Sequence, residues 1–465
     1  MNTIQVTTPC GVVEGFQEDG VNCFLGIPYA TAKRFEYPQP VISWKGICDA
    51  KKYGPAPIQQ RAYVQVDASD PQNHYEHEFY QNFQSEYSED CLNLNIWTPE
   101  NPLNCPVLVI IYGGGLVTGQ NNSPECNGSF LAKHGIITVA MNYRVNIFGF
   151  IAMKELEDEN GKSGNYGYYD QQAAIAWVRH NIQSFGGDVN NMTLIGQSAG
   201  ATSCETQIKS PLNKGIFKQA IIQSSAGLAS FIKQKPDNTK EYAKWRQVYE
   251  RTGCKSIEEF KQLPAKTLYD AFAEVSAKSS IGFCNAVYDE NFTSGIKNQP
   301  CPVKIMCSVT SEDVMPFLLY WMCGFLAKSQ RKLGVDTYTY YFRRQLPGDT
   351  KGAWHGSDLI YLYGWLSHSW RPFGKEDYML QENILAYLIN FIKTGNPNGE
   401  GLAETSVYKG YKQDKIEMRG DRAEMSDFPL YLNTVAGGLD RRDQTIGGFS
   451  FVVKIYAVPV VEIIG

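Results

Sequence analysis

Four short stretches of this 465-residue chain carry groups of the kind that perform acyl transfer. The first, Gly196-Gln197-Ser198-Ala199-Gly200, is a G-x-S-x-G pattern whose small flanking residues permit a tight turn that exposes the serine. A serine hydroxyl is a weak nucleophile at neutral pH. It needs a base within hydrogen-bond reach and a carboxylate to orient that base. For a serine on a turn from a parallel-sheet strand into a helix, the chain order of the three groups is serine, acid, histidine. Of the six histidines only His355 and His368 lie far enough downstream. His355 falls in Gly352-Ala353-Trp354-His355-Gly356, a loop after the strand-like Thr337–Phe342. His368 lies in an aromatic segment without that loop character and reads as a packed or surface residue. The apolar run Val303–Val309 ends in Thr310-Ser311-Glu312-Asp313, which puts two carboxylates at a strand's end. Asp313 is the favoured orienting acid and Glu312 the alternative. A tetrahedral oxyanion needs N–H donors where no side chain blocks approach. Gly113-Gly114-Gly115, with the N–H of Ala199 beside the serine, answers that need.

The elements that would position these groups are legible around them. Val107–Tyr112 is a continuous apolar, β-branched run that ends in the three glycines. Ile136–Met141, Met192–Ile195 and Ala220–Gln223 repeat the pattern of a strand buried on both faces. Tyr169–Ser184 has helical spacing, with apolar residues at Ala173, Ala176, Trp177 and Ile182, and a helix-compatible segment follows Ser198. Strands alternating with helices predict an α/β fold with a mostly parallel central sheet covered by helices on both faces. Residues 228–300 are more charged and helical, including Lys255–Phe272, and form a candidate cap inserted in one large domain spanning 1–465. Residues 60–88 read as an irregular loop. The apolar tail from Gly447 onward is expected to be docked, paired as a strand, or an aggregation liability.

Composition narrows the classes of function. With 43% hydrophobic and 20% charged residues the chain has ample material for a packed core. A net charge of −5 leaves no broad basic surface for nucleic acid. No apolar stretch reaches the ~18 residues of a spanning helix, so no integral membrane association is expected. Met1–Val6 has neither the cationic nor the apolar region of a secretory signal, which makes a cytoplasmic location the default. The 12 cysteines show no paired C-x-x-C spacing and read as mostly reduced thiols, many of them buried. His74 and His77 lack further ligands at a metal-binding spacing and read as a solvated segment, so no metal site is expected. Nothing in the sequence points to an oligomeric state.

Beyond single motifs, FGGDVNNMTLIGQSAG at 185–200 resembles the serine signature of the type-B carboxylesterase and cholinesterase family, and EDCLNLN at 89–95 resembles its second signature. FLGIPYA at 24–30, NYRVNIFGF at 142–150, SPLNKGIF at 210–217 and TGNPN at 394–398 are similar to further family blocks. The resemblance runs from about residue 10 to 400 and implies the α/β-hydrolase fold. It also implies Ser198, Asp313 and His355 as a catalytic triad, Gly114, Gly115 and Ala199 as the oxyanion hole, and hydrolysis of small-molecule esters without a cofactor. A catalytically inactive cholinesterase-like binding module, or an amidase or carbamate hydrolase using the same triad, is the alternative.

The chain departs from the family pattern in four places. Gln197 stands where many members carry glutamate, and Glu312-Asp313-Val314 where they carry Asp-Glu-Gly. The cysteine that pairs with the Cys91 position in secreted relatives is replaced within Pro57-Ile58-Gln59-Gln60, so that disulfide is not expected. Asp313 and His355 are only 42 positions apart, shorter than the family usually has. A reduced cap and a more open gorge, lined in part by Leu116, Phe317 and Trp354, follow as expectations.

Overall fold

The structure, a computed structural model, describes residues 2–64, 69, 73–81, 83–231, 237–278, 284, 286–292, 302–408, 415–419, 422–426, 445–446 and 449–450. Twelve strands build its main sheet: β1 (Asn2–Thr8), β2 (Gly11–Glu18), β3 (Val21–Pro28), β4 (Asn93–Pro99), β5 (Cys105–Ile111), β6 (Ile137–Met141), β7 (Gly187–Gln197), β8 (Gln219–Gln223), β9 (Lys304–Thr310), β10 (Thr337–Phe342), β11 (Lys415–Arg419) and β12 (Arg422–Ser426). Their spatial order is β1-β2-β3-β4-β6-β5-β7-β8-β9-β10-β11-β12, and a short strand, Ile47–Asp49, adds to β2. From β6 to β11 every neighbour pairs in parallel, while β1 to β4 and β12 pair antiparallel.

Side chains alternate faces along a strand, so unbroken burial means that both faces of the sheet are covered. Val107–Ile111 and Ile137–Met141 are buried at every position. Helix α3 (Ala199–Lys209) and helix α8 (Lys375–Thr394) pack on both β5 and β7, and α2 (Tyr166–Asn181) packs on α3. The swap of β5 and β6 in the spatial order brings β5, which ends in the glycines, directly beside β7, which ends in Ser198.

The segment 228–300 contributes α4 (Thr239–Thr252), α5 (Ile257–Gln262) and α6 (Ala265–Lys278). The helical stretch from Lys255 is divided between α5 and α6, because Leu263 is held extended before Pro264, where proline disfavours helical backbone. Within 60–88 the expected irregular loop contains a helix, α1 (His74–Phe79). It is not solvated: His77, Glu78 and Phe79 are buried. Helix α7 (Pro316–Arg331) leads away from the Asp313 loop. Of the tail from Gly447, only Phe449–Ser450 lies among the described residues, paired with Thr445–Ile446. The eleven described cysteines are all free, nine of them buried. Among the described residues no helix is long and apolar enough to cross a membrane.

Candidate active site

Ser198 stands between the end of β7 and the start of α3 with φ 57° and ψ −127°, a sparsely populated conformation that costs about 1–3 kcal/mol for a non-glycine residue. Its backbone is fixed on both sides: its N–H donates to the carbonyl of Gln223 at 2.9 Å, and its own carbonyl accepts from Thr202 N–H at 3.1 Å. The glycines of the motif are required by contact rather than by φ. A Cβ on Gly196 would lie 2.4 Å from the Gly200 carbonyl oxygen, and one on Gly200 would lie 2.2 Å from that of Ile111. Strand and helix therefore approach more closely than any side chain allows, and the hydroxyl projects from the resulting corner.

Ala199 opens α3, so its N–H is one of the first four of the helix that have no intrahelical acceptor. Across from it, Gly113 is in contact range of Ser198, since a Cβ there would stand 3.2 Å from the serine Cβ. Gly114 and Gly115 have φ of +100° and +64°, and a side chain on Gly114 would strike the Thr118 carbonyl oxygen at 2.3 Å. The next residue, Leu116, continues the turn with φ +62° and is buried. These are the geometric requirements of a loop that presents backbone N–H groups toward a reacting oxygen.

The histidine arrives from a loop rather than from a strand-to-helix corner. Nδ1 of His355 lies 2.5 Å from Oδ1 of Asp313, just past the end of β9. The Val314 N–H donates to the same oxygen at 2.8 Å, while the Thr310 hydroxyl donates to Oδ2 at 3.0 Å. Glu312 is exposed and holds the His355 loop through its backbone, whose N–H donates to the Ala353 carbonyl at 2.9 Å. Of the two candidate acids, Asp313 is thus the one brought to the imidazole. Burial by itself would raise the Asp313 pKa, but the adjacent imidazole and the donors around the carboxylate bring it below the usual range. For His355, burial pulls the pKa down and Asp313 outweighs it, leaving the imidazole above its ordinary value.

Distant residues fasten the His355 loop. The Trp354 indole N–H donates to Asp349 at 3.0 Å, and its ring stacks on His74 of α1. Arg371, almost wholly buried, binds Glu78 of α1 at 2.7 Å, the Pro347 carbonyl at 3.0 Å and Asp349 at 3.3 Å. Trp354 is therefore buried in the support of the loop, whereas Phe317 on α7 is 58% exposed. His368 is exposed.

Two further groups belong to this neighbourhood. Asp358, three residues after His355, is buried, and its Oδ2 accepts from Gln223 Nε2 and the Tyr340 hydroxyl, each at 3.0 Å. Burial, with Asp313 adding to it, raises its pKa to about 6. A lone carboxylate leading into the apolar Leu359–Tyr363 was the available sequence signal. Nε2 of His355 is met by the Gln197 carboxamide nitrogen at 3.1 Å. The Ser198 hydroxyl itself makes no hydrogen bond among the described residues.

The profile of the carboxylesterase family matches the chain in two stretches, residues 2–331 and 324–426. The chain is 40% identical over 230 residues to a fumonisin B1 esterase of Sphingopyxis macrogoltabida, a match covering 48% of this chain and 39% of that one. It is 37% identical over 232 residues to a para-nitrobenzyl esterase of Bacillus subtilis (48% and 43% covered) and 35% identical over 386 residues to a mouse cholinesterase (78% and 62% covered). The chain thus spans about two fifths of the length of the two bacterial relatives. In three dimensions it superposes on a PNB esterase with a TM-score of 0.77 at 24% identity, over 93% of this chain and 98% of the other, a likeness of fold.

Proposed function

The chain belongs to the carboxylesterase family, and from that premise we propose that it is a serine esterase in which Ser198, His355 and Asp313 carry out two-step acyl transfer. The observation that carries the proposal is the 2.5 Å contact between Asp313 and His355 Nδ1 beside a serine held in a strained strand-to-helix corner. With Nδ1–H directed at Asp313, the lone pair of the neutral imidazole lies on Nε2, the nitrogen that takes the serine proton. Ser198 Oγ then attacks the ester carbonyl. The N–H groups of Gly114, Gly115 and Ala199 receive the negative charge that develops on the carbonyl oxygen, and removing one such donor typically costs about 10²–10³ in kcat. His355 returns the proton to the departing alcohol. Water, activated by the same imidazole, releases the acid from the acyl-enzyme. Each step uses groups of the chain and water alone.

Small to medium esters, including bulky ones, are the proposed substrates. Two things support this reading. The stretch from Asp313 to His355 is short, and the two parts of the family match meet at residues 324–331, inside α7. That helix leaves Phe317, Trp321 and Phe325 at 58%, 37% and 36% exposure. A cytoplasmic location is proposed with it, supported by the free, mostly buried thiols, which suit a reducing compartment. The test is labelling with a fluorophosphonate followed by peptide mapping, together with turnover of p-nitrophenyl esters of increasing acyl length. The adduct is expected on Ser198, with activity retained on long acyl chains. An adduct elsewhere would overturn the assignment, and rejection of all but acetyl esters would overturn the open site.

A further inference from the structure

The only hydrogen bond that the Gln197 carboxamide makes among the described residues is the one to His355 Nε2, at 3.1 Å. That nitrogen is the one the proposed reaction requires to face Ser198. Gln197 is the last residue of β7 and 7% exposed. Its backbone is held in register with Gln223 of β8, so the side chain leaves a fixed point. Two glycines make room for the carboxamide. A Cβ on Gly113 would stand 3.2 Å from Gln197 Oε1, and one on Gly356 would stand 3.5 Å from Nε2 and 3.4 Å from the Tyr75 ring. The amide is thus seated between the glycine loop and the turn that follows His355, with Tyr75 behind.

We infer that Gln197 is a positioning residue that caps the base in the resting enzyme: its amide N–H holds the lone pair of His355 Nε2 until bound substrate displaces it and Ser198 takes its place. The inference rests on the triad proposed above. The chemistry of a carboxamide suits this task in a way that a carboxylate does not. It donates through N–H to a neutral imidazole, and after rotating it accepts through its carbonyl from an imidazolium, favouring neither charge state by a net charge of its own. A glutamate here would only accept, and would hold the histidine protonated. The other charged and titratable groups facing His355 are Asp313 on its Nδ1, buried Asp358 from the following turn and, beyond the Tyr75 ring, Glu125, which accepts from the Tyr75 hydroxyl at 2.9 Å. A further negative charge at position 197 would add to an already anionic surround.

The experiment compares the wild type with Gln197→Glu and Gln197→Met, using kcat/KM for p-nitrophenyl acetate from pH 5 to 9 and the rate of fluorophosphonate labelling. Gln197→Glu is expected to move the acid limb upward by about one unit, as an opposite charge within 4–6 Å of an imidazolium does, with a loss of about tenfold below the limb. Gln197→Met keeps the volume and removes the cap. It is expected to label several-fold faster on the plateau and to leave the limb in place. Superimposable profiles for wild type and Gln197→Glu, or slower labelling of Gln197→Met, would overturn the cap. Ser198→Ala in the same assays separates the two claims, since turnover surviving there defeats the triad itself, whereas its loss beside unshifted Gln197 profiles defeats only the cap.

Discussion

The serine and the histidine reach the same few ångströms by opposite means. Ser198 is placed by backbone: a strand, a corner closed by Gly196 and Gly200, and a helix, all within fifteen residues on either side and set against the backbones of β5 and β8. His355 is placed by a loop whose shape depends on Trp354, Asp349 and the Arg371–Glu78 pair, whose members are 293 positions apart in the chain. The nucleophile is therefore built into the fold, whereas the base is held by an assembly of side chains that could be loosened without unmaking the sheet. Substitutions in the two regions should fail in different ways.

The largest effect is expected at the join between them. Asp313→Asn keeps the shape of the side chain but favours the wrong tautomer of His355, and kcat should fall by about 10⁴-fold. Glu312→Gln, one residue away and exposed, should leave kcat unchanged in the same assay. A larger loss from the Glu312 change would exchange their roles. Next comes the support of the histidine loop. Arg371→Met strands Glu78 without its partner in the interior, where breaking a buried pair costs about 3–5 kcal/mol, and a lowered denaturation midpoint would report it. Its kcat should fall further than its stability explains, by up to about 10²-fold, because the loop carries the base.

At the elbow, Gly200→Ala introduces a Cβ 2.2 Å from the Ile111 carbonyl oxygen. Overpacking of this kind costs about 1–3 kcal/mol, read in a urea titration, and displaces the serine rather than the histidine. Fluorophosphonate labelling should therefore slow at every pH, without a shift in the profile. The smallest effect is expected at Asp358. The acid limb of kcat/KM follows His355, whose neutral form is the base, so activity is lost as pH falls through a pKa that stands above the ordinary imidazole value. Asp358→Asn removes one negative neighbour, destabilises the imidazolium, and should move that limb downward by less than about one unit. Because Asp358 itself titrates at about 6, and its protonation opposes that of His355, the limb should also become steeper in the variant.

The same contrast explains which features are legible in the amino-acid sequence. β5, β6, β8 and the buried half of β7 from Met192 announce themselves as short apolar runs, and the Ser198 corner follows from two glycines at fixed spacing. All of it is local. Helix α1 is six residues long and too short to show a period, and its polar residues His74, Glu76, His77 and Glu78 look like a solvated surface. Buried Glu78 and half-buried His74 meet Arg371 and Asp349, which no local pattern places beside them. Trp354 was expected to line the gorge for its apolar character, yet its indole N–H is committed to Asp349 behind the loop. Gln197 was legible as a missing negative charge, but not as a partner of His355, since that contact depends on how two glycine turns face each other.

The most direct measurement is the steady-state turnover of p-nitrophenyl acetate by Ser198→Ala beside the wild type, with folding of both checked by circular dichroism. The account predicts a folded variant whose kcat is lower by about 10⁶-fold, as for loss of a triad nucleophile elsewhere. A folded variant that retains activity within tenfold of the wild type would contradict it.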